Sequence, residues 1–170
     1  MPAPEDRRFP YAAGVLFGVG LGGFFDGIVL HQVLQWHHML TSAGVPADNL
    51  RNLELNVLFD GLFHASTYVF TALGLALLWR VARRNHLWWS GKLLLGTMLI
   101  GFGGFNLVEG VIDHHVLGLH HVNETVPREH WLAWDLAFLA WGAAMLAIGA
   151  LLVRGGRRAS PGEMPEHSPT

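Results

Sequence analysis

Residues 26–38, DGIVLHQVLQWHH, return at 109–121 as EGVIDHHVLGLHH. The two stretches align without a gap. Gly27/Gly110, His31/His114, Val33/Val116, Leu34/Leu117, His37/His120 and His38/His121 are identical, and Asp26/Glu109 agree in kind. One carboxylate and three histidines therefore hold the same register twice, as a doubled arm able to ligate a metal or a cofactor.

Working outward, the chain around these arms is apolar. Of 170 residues, 51% are hydrophobic and 14% charged, well below the roughly 25% charged content of soluble domains. Lipid is the solvent this composition fits. Four stretches are long enough to span a hydrocarbon core, which takes about 20 helical residues: 11–36, 55–79, 89–117 and 131–153. The expected fold is all-α, an integral membrane four-helix bundle. Residues 1–10 read as an N-terminal tail, 11–153 as the transmembrane domain and 154–170, rich in Gly, Pro and Ser, as a C-terminal tail. The first apolar run leads straight into the first arm, so it reads as a retained helix rather than a cleaved signal.

Lysine and arginine placement gives the orientation. Arg7, Arg8, Arg80, Arg83, Arg84, Lys92, Arg154, Arg157 and Arg158 lie on one side, against Arg51 and Arg128 on the other. Both termini are expected in the cytoplasm, with Trp36, Trp131 and Trp134 at the outer interface and Trp79, Trp88 and Trp89 at the inner one. In a bacterium this is the inner membrane. Helices 1 and 3 then run parallel, and the chain divides into repeats at about 11–80 and 89–153. A fainter echo pairs LFDGLFH (58–64) with AWDLAFL (133–139), and so Asp60 with Asp135. Gly14, Gly18 and Gly22 in helix 1 and Gly101 and Gly104 in helix 3 are small enough for close helix approach in lipid.

On an α-helical wheel the carboxylate and three histidines of each arm fall within an arc of about 140°, and His115 lies off it at about 240°. His115 is expected to be a bystander. Counting about 1.5 Å per residue, the deep groups are Asp26, His31, Asp60, His64, Glu109, Asp113, His114 and Asp135. His37, His38, His120 and His121 form an outer collar at the headgroups, near His130. Buried carboxylates with no lysine or arginine among them need histidines, protons or cations as partners.

There is no cysteine, so thiolate sites are excluded, and imidazole with carboxylate suits Zn, Fe, Mn or Cu(II). The expected metal ligands are His31, Asp60, His64, Glu109, His114, Asp26 and Asp113, with Asp135 and Asn106 orienting them. Three uses stay open. One is a metal-dependent oxidoreductase or hydrolase. A second is an electron carrier with haem b held between His31 and His114. The third is a copper-handling protein collecting the ion at His37, His38 and Met39. The spacings of the arms are not those of soluble di-iron bundles or membrane desaturases. His167, in the C-terminal tail, has no expected role.

The DG and EG arms ending in HH, on four spans with short ends, resemble an uncharacterised bacterial family of small predicted membrane proteins over about residues 9–155. The resemblance implies a four-helix integral membrane protein and a link to cytochrome oxidase assembly and copper, without assigning a catalytic residue. Expected partners are lipid and a metal ion; a second copy of the chain or an oxidase-assembly protein stays open, and no nucleic acid is expected.

Overall fold

A computed structural model describes residues 9–83 and 89–158. The N-terminal residues through Arg8, the linker residues Arg84 and Trp88, and the tail from 159, including His167, lie outside the described residues. Four α-helices account for the architecture: α1 (Tyr11–Phe24), α2 (Leu50–Ala82), α3 (Gly91–Glu109) and α4 (Trp131–Arg158). Among the described residues there is no strand. Four continuous helical spans, Tyr11–Val33, Leu50–Ala82, Gly91–Val116 and Arg128–Arg158, are long and apolar enough to cross a membrane.

The helix starts are dictated locally. The Asn49 side chain accepts a hydrogen bond from the Asn52 amide, and Ser90 accepts from the Leu93 amide, each satisfying a backbone donor that the first turn leaves free. Helix α2 begins five residues before the apolar run at Leu55, on the Asn49 cap, and α4 continues past Val153 to Arg158.

The helices stand in a row, α2–α1–α3–α4, in which each touches only its neighbour through the backbone. Glycine sets the spacing of the inner pair. A Cβ at Gly18 would lie 2.0 Å from the Met98 carbonyl oxygen, and one at Gly101 would lie 2.1 Å from that of Val15. Gly14 faces Thr97 and Gly22 faces Phe105, so contacts climb together and α1 and α3 point the same way. Gly104 meets nothing within 4 Å. On the outer flanks the contacts run in opposite senses: Gly20 meets Thr71 and Gly27 meets His64, while Gly96 meets Gly149 and Gly103 meets Gly142. The outer helices turn Leu58, Leu62, Tyr68, Val69, Leu132, Leu136 and Leu151 outward, the apolar surface that lipid requires.

The arms depart from α-helix in the same place. After α1 the chain widens into a π-helical segment, π1 (Phe25–Val33), and after α3 into π2 (Gly110–Val116). Leu34 donates its amide to the Val29 carbonyl at 2.8 Å, and Leu117 to that of Ile112 at 2.7 Å, both five residues back. Each arm then turns sharply through a residue of positive φ, Gln35 at 50° and Gly118 at 59°. That conformation costs a side-chain-bearing residue about 1 kcal/mol and glycine almost nothing. Gln35→Gly is therefore expected to hold or raise the thermal midpoint in detergent, and Gly118→Val to lower it by several degrees; equal shifts would show that the turns are not under this constraint.

Candidate metal centre

The π segments decide which side chains meet. In an α-helix, residues five apart point about 140° away from each other; the wider π turn stacks them. Asp26 and His31 are five apart, as are Glu109 and His114. The Asp26 Oδ2–His31 Nε2 distance is 3.0 Å, and the Glu109 Oε1–His114 Nε2 distance is also 3.0 Å. The α-helical wheel understates how closely these pairs face one another.

The turns at Gln35 and Gly118 send the following histidines back inward. His37 and His120 are 2% and 1% exposed, closed inside the protein beyond the ends of the spans, whereas His38 and His121 stay partly exposed beside them. The cause is local, because the helix ends before these residues. Their rings stack 4.4 Å apart and 4° from parallel, with His31 4.3 Å from His37 and His114 4.9 Å from His120. His120 Nε2 lies 3.1 Å from Glu109 Oε1, and His37 Nε2 lies 4.0 Å from Asp26 Oδ1.

Two overlapping groups have ligand atoms all within 4.8 Å of one another: His31, His37 and His120, and Glu109, His114 and His120. With Asp26, they make a shell of four imidazoles and two carboxylates. His37 titrates well below the ordinary imidazole value, first because it is buried and next because His120 is beside it. It is thus a neutral ring, the form that binds metal.

Behind this shell three of the four imidazoles are held by hydrogen bonds to the other nitrogen, and His114 has a longer approach to a carboxylate. His31 Nδ1 lies 2.9 Å from Asp60 Oδ1, and His114 Nδ1 approaches Asp135 Oδ1 at 3.5 Å. His37 Nδ1 donates to the Val122 carbonyl at 2.8 Å, and His120 Nδ1 to that of Met39 at 3.3 Å. A carbonyl only accepts, so in these two rings Nδ1 carries the proton; His37 Nε2 is left without a partner, and His120 Nε2 faces Glu109 Oε1. Asp60 also takes His38 Nδ1 at 2.7 Å and the Met39 amide at 2.9 Å; Asp135 takes His121 Nδ1 at 2.6 Å and the Val122 amide at 2.9 Å. Asp60, expected as a ligand, is placed behind His31 as Asp135 is behind His114.

The remaining candidates stand apart. His64 and Asp113 join neither group. His64 lies against Gly27, where a Cβ would come 2.5 Å from its Nε2. Asp113 is half-buried, and its carbonyl accepts from the Leu119 amide. Asn106 is fully buried beside Gly142, with both side-chain polar atoms unpartnered. His115 and His130 are exposed. His37 and His120, which the depth count put in the outer collar, had one signal in the sequence for their inward turn: Gly118, a residue suited to a sharp turn, two positions before His120.

Metal is what the unpartnered atoms fit. Asp26 Oδ1, His37 Nε2 and Glu109 Oε2 are buried without a hydrogen-bond partner, and His31 Nε2 and His114 Nε2 each face a carboxylate oxygen 3.0 Å away, a set of atoms that a cation would satisfy. Nitrogen and oxygen 3.0 Å apart are also spaced as two ligands each about 2.1 Å from one ion.

No curated protein and no solved structure matches the chain. The family described as "Predicted membrane protein (DUF2243)" matches residues 13–156, a stretch that takes in all four helices except their extreme ends and both arms. The chain belongs to this DUF2243 family of predicted membrane proteins.

Proposed function

We propose that this protein is a metalloprotein of the bacterial inner membrane, built from two parallel two-helix repeats with both termini in the cytoplasm. Its metal centre sits where the two arms meet, in the outer half of the bundle, and serves redox chemistry. The observation that carries this reading is the uniform polarity of the imidazoles: His31, His37, His114 and His120 turn Nδ1 outward to a carboxylate or carbonyl and Nε2 inward. Outer partners of this kind fix the orientation of metal-binding histidines in general. The matching contacts of Asp60 and Asp135 support the repeat, and the excess of Lys and Arg on one side supports the orientation.

An oxidoreductase is favoured over a hydrolase. Hydrolysis needs an open coordination position that water and substrate can reach, whereas none of the six shell residues is more than 6% exposed; electrons need no such opening. The haem reading is disfavoured by the stacked His37–His120 pair, which is packed against both His31 and His114 in the space a porphyrin between them would need. Copper collection by His37, His38 and Met39 loses its basis, since His37 points inward, His38 binds Asp60 and Met39 contributes its backbone. A nitrogen and oxygen ligand set without sulfur suits Fe, Mn, Zn or Cu(II) rather than Cu(I).

Elemental analysis and an optical spectrum of detergent-purified protein test this. The expected result is a stoichiometric transition metal, reduced in His114→Ala and unchanged in His115→Ala. Equal metal content in the two variants, or a Soret band in place of the metal, would overturn the reading.

A further inference from the structure

The centre contains more negative charge than one divalent ion can balance. Four carboxylates converge on it: Asp26, Asp60, Glu109 and Asp135 are each at most 6% exposed. Their ion pairs run to His31, His37, His38, His114, His120 and His121. With neutral imidazoles as ligands, and His38 and His121 neutral as well, one divalent ion leaves two uncompensated charges in a low-dielectric interior. Two divalent ions bring the sum to zero.

The geometry also divides by two. Asp26, His31 and His37 come from the first arm, and Glu109, His114 and His120 from the second. Each carboxylate reaches both imidazoles of its own arm, although Asp26 does so through different oxygens and Glu109 through Oε1 alone. The second arm thus offers a two-nitrogen, one-carboxylate set with its ligand atoms within 4.8 Å of one another, and in the first arm His31 and His37 are equally close while Asp26 approaches each through a different oxygen. The sets are not separate sites: His120 lies within ligating distance of His31 and His37 as well as of Glu109 and His114, and the His37 and His120 rings are stacked. An imidazole whose Nδ1 is committed to a carbonyl has one nitrogen for one ion, so this overlap makes two ion positions neighbours.

We propose that the arms hold a dinuclear metal centre, one ion on Asp26, His31 and His37 and the other on Glu109, His114 and His120, close enough to share their bridging ligands. Paired ions in proteins sit about 3.5–4 Å apart. The unpartnered Asp26 Oδ1 and Glu109 Oε2 are the oxygens free to complete or bridge the pair. This inference rests on the metal reading above and goes beyond it in number and arrangement.

The test loads metal-free, detergent-purified protein with Cu(II) alone and follows binding and electron paramagnetic resonance together. Saturation is expected at two equivalents, with a half-field transition and loss of integrated spin as the second ion enters. The double substitution Asp26→Asn with His31→Ala is expected to bring saturation down to one equivalent and abolish the half-field line. Saturation of the wild type at one equivalent overturns the pair and leaves the metal reading intact. Two equivalents of magnetically isolated copper overturn the shared centre, and no binding at all overturns both. The wild-type titration decides even if the double variant does not fold.

Discussion

Asp60→Ala is expected to weaken metal binding by about 10–100-fold, and Asp135→Ala to do the same. Neither carboxylate belongs to the inner shell, so the effect comes from positioning. Asp60 takes His31 Nδ1, His38 Nδ1 and the Met39 amide; without it, a buried ring loses its anchor and the chain after the Gln35 turn loses its tie to α2. Asp135 makes the same set with His114, His121 and Val122, although its approach to His114 is longer at 3.5 Å. Competition with a chelator measures the affinity, and circular dichroism the helix content. A positioning role predicts lowered affinity at unchanged helicity, with Asn at either position recovering part of the loss because its amide oxygen still accepts. If metal affinity fell only in step with helix content, the carboxylates would be structural alone.

The second large effect is expected in the membrane interior. Gly101→Leu should prevent stable assembly, and Gly101→Ala should cost about 3 kcal/mol or more, because the new Cβ would meet the Val15 carbonyl oxygen 2.1 Å away and the Val19 amide nitrogen 2.9 Å away. Both are helix backbone, so no flexible side chain can yield. Gly104→Ala, where nothing lies within 4 Å, serves as the matched control. Thermal unfolding in detergent should separate the two. Similar midpoints for both would remove close packing of α1 on α3 as the constraint.

These contrasts show which parts of the molecule could be read from its sequence. Apolar length and hydrophobicity mark the helices, since lipid leaves a spanning chain few alternatives to helix. The inner pairs Asp26/His31 and Glu109/His114 stood out through their doubled register. What stayed hidden is the consequence of backbone geometry. A wheel of fixed pitch cannot show a π turn, and so it separates by about 140° residues that the fold stacks. It also extends the helix past Gln35, whose positive φ nothing in its side chain announces. The inward turn of His37 and His120 was hidden by that single assumption. Asp60 and Asp135 were found by their echo, but their place behind the ligands depends on the row packing of α2 against α1 and α4 against α3.

That row packing bears on how the protein is made. Asp26, His31, Asp60 and His38 all come from the first hairpin and face one another there; Glu109, His114, Asp135 and His121 do so in the second. Each hairpin can therefore leave the translocation machinery and enter lipid with its acidic groups already matched, before the other has been synthesised. The contacts that cross between the halves, among them His37 to Val122, His120 to Met39, Ser42 and Ala43 to Leu119, and Glu124 to Trp36, wait for the second arm, so the latch between the halves closes only once that arm has been made.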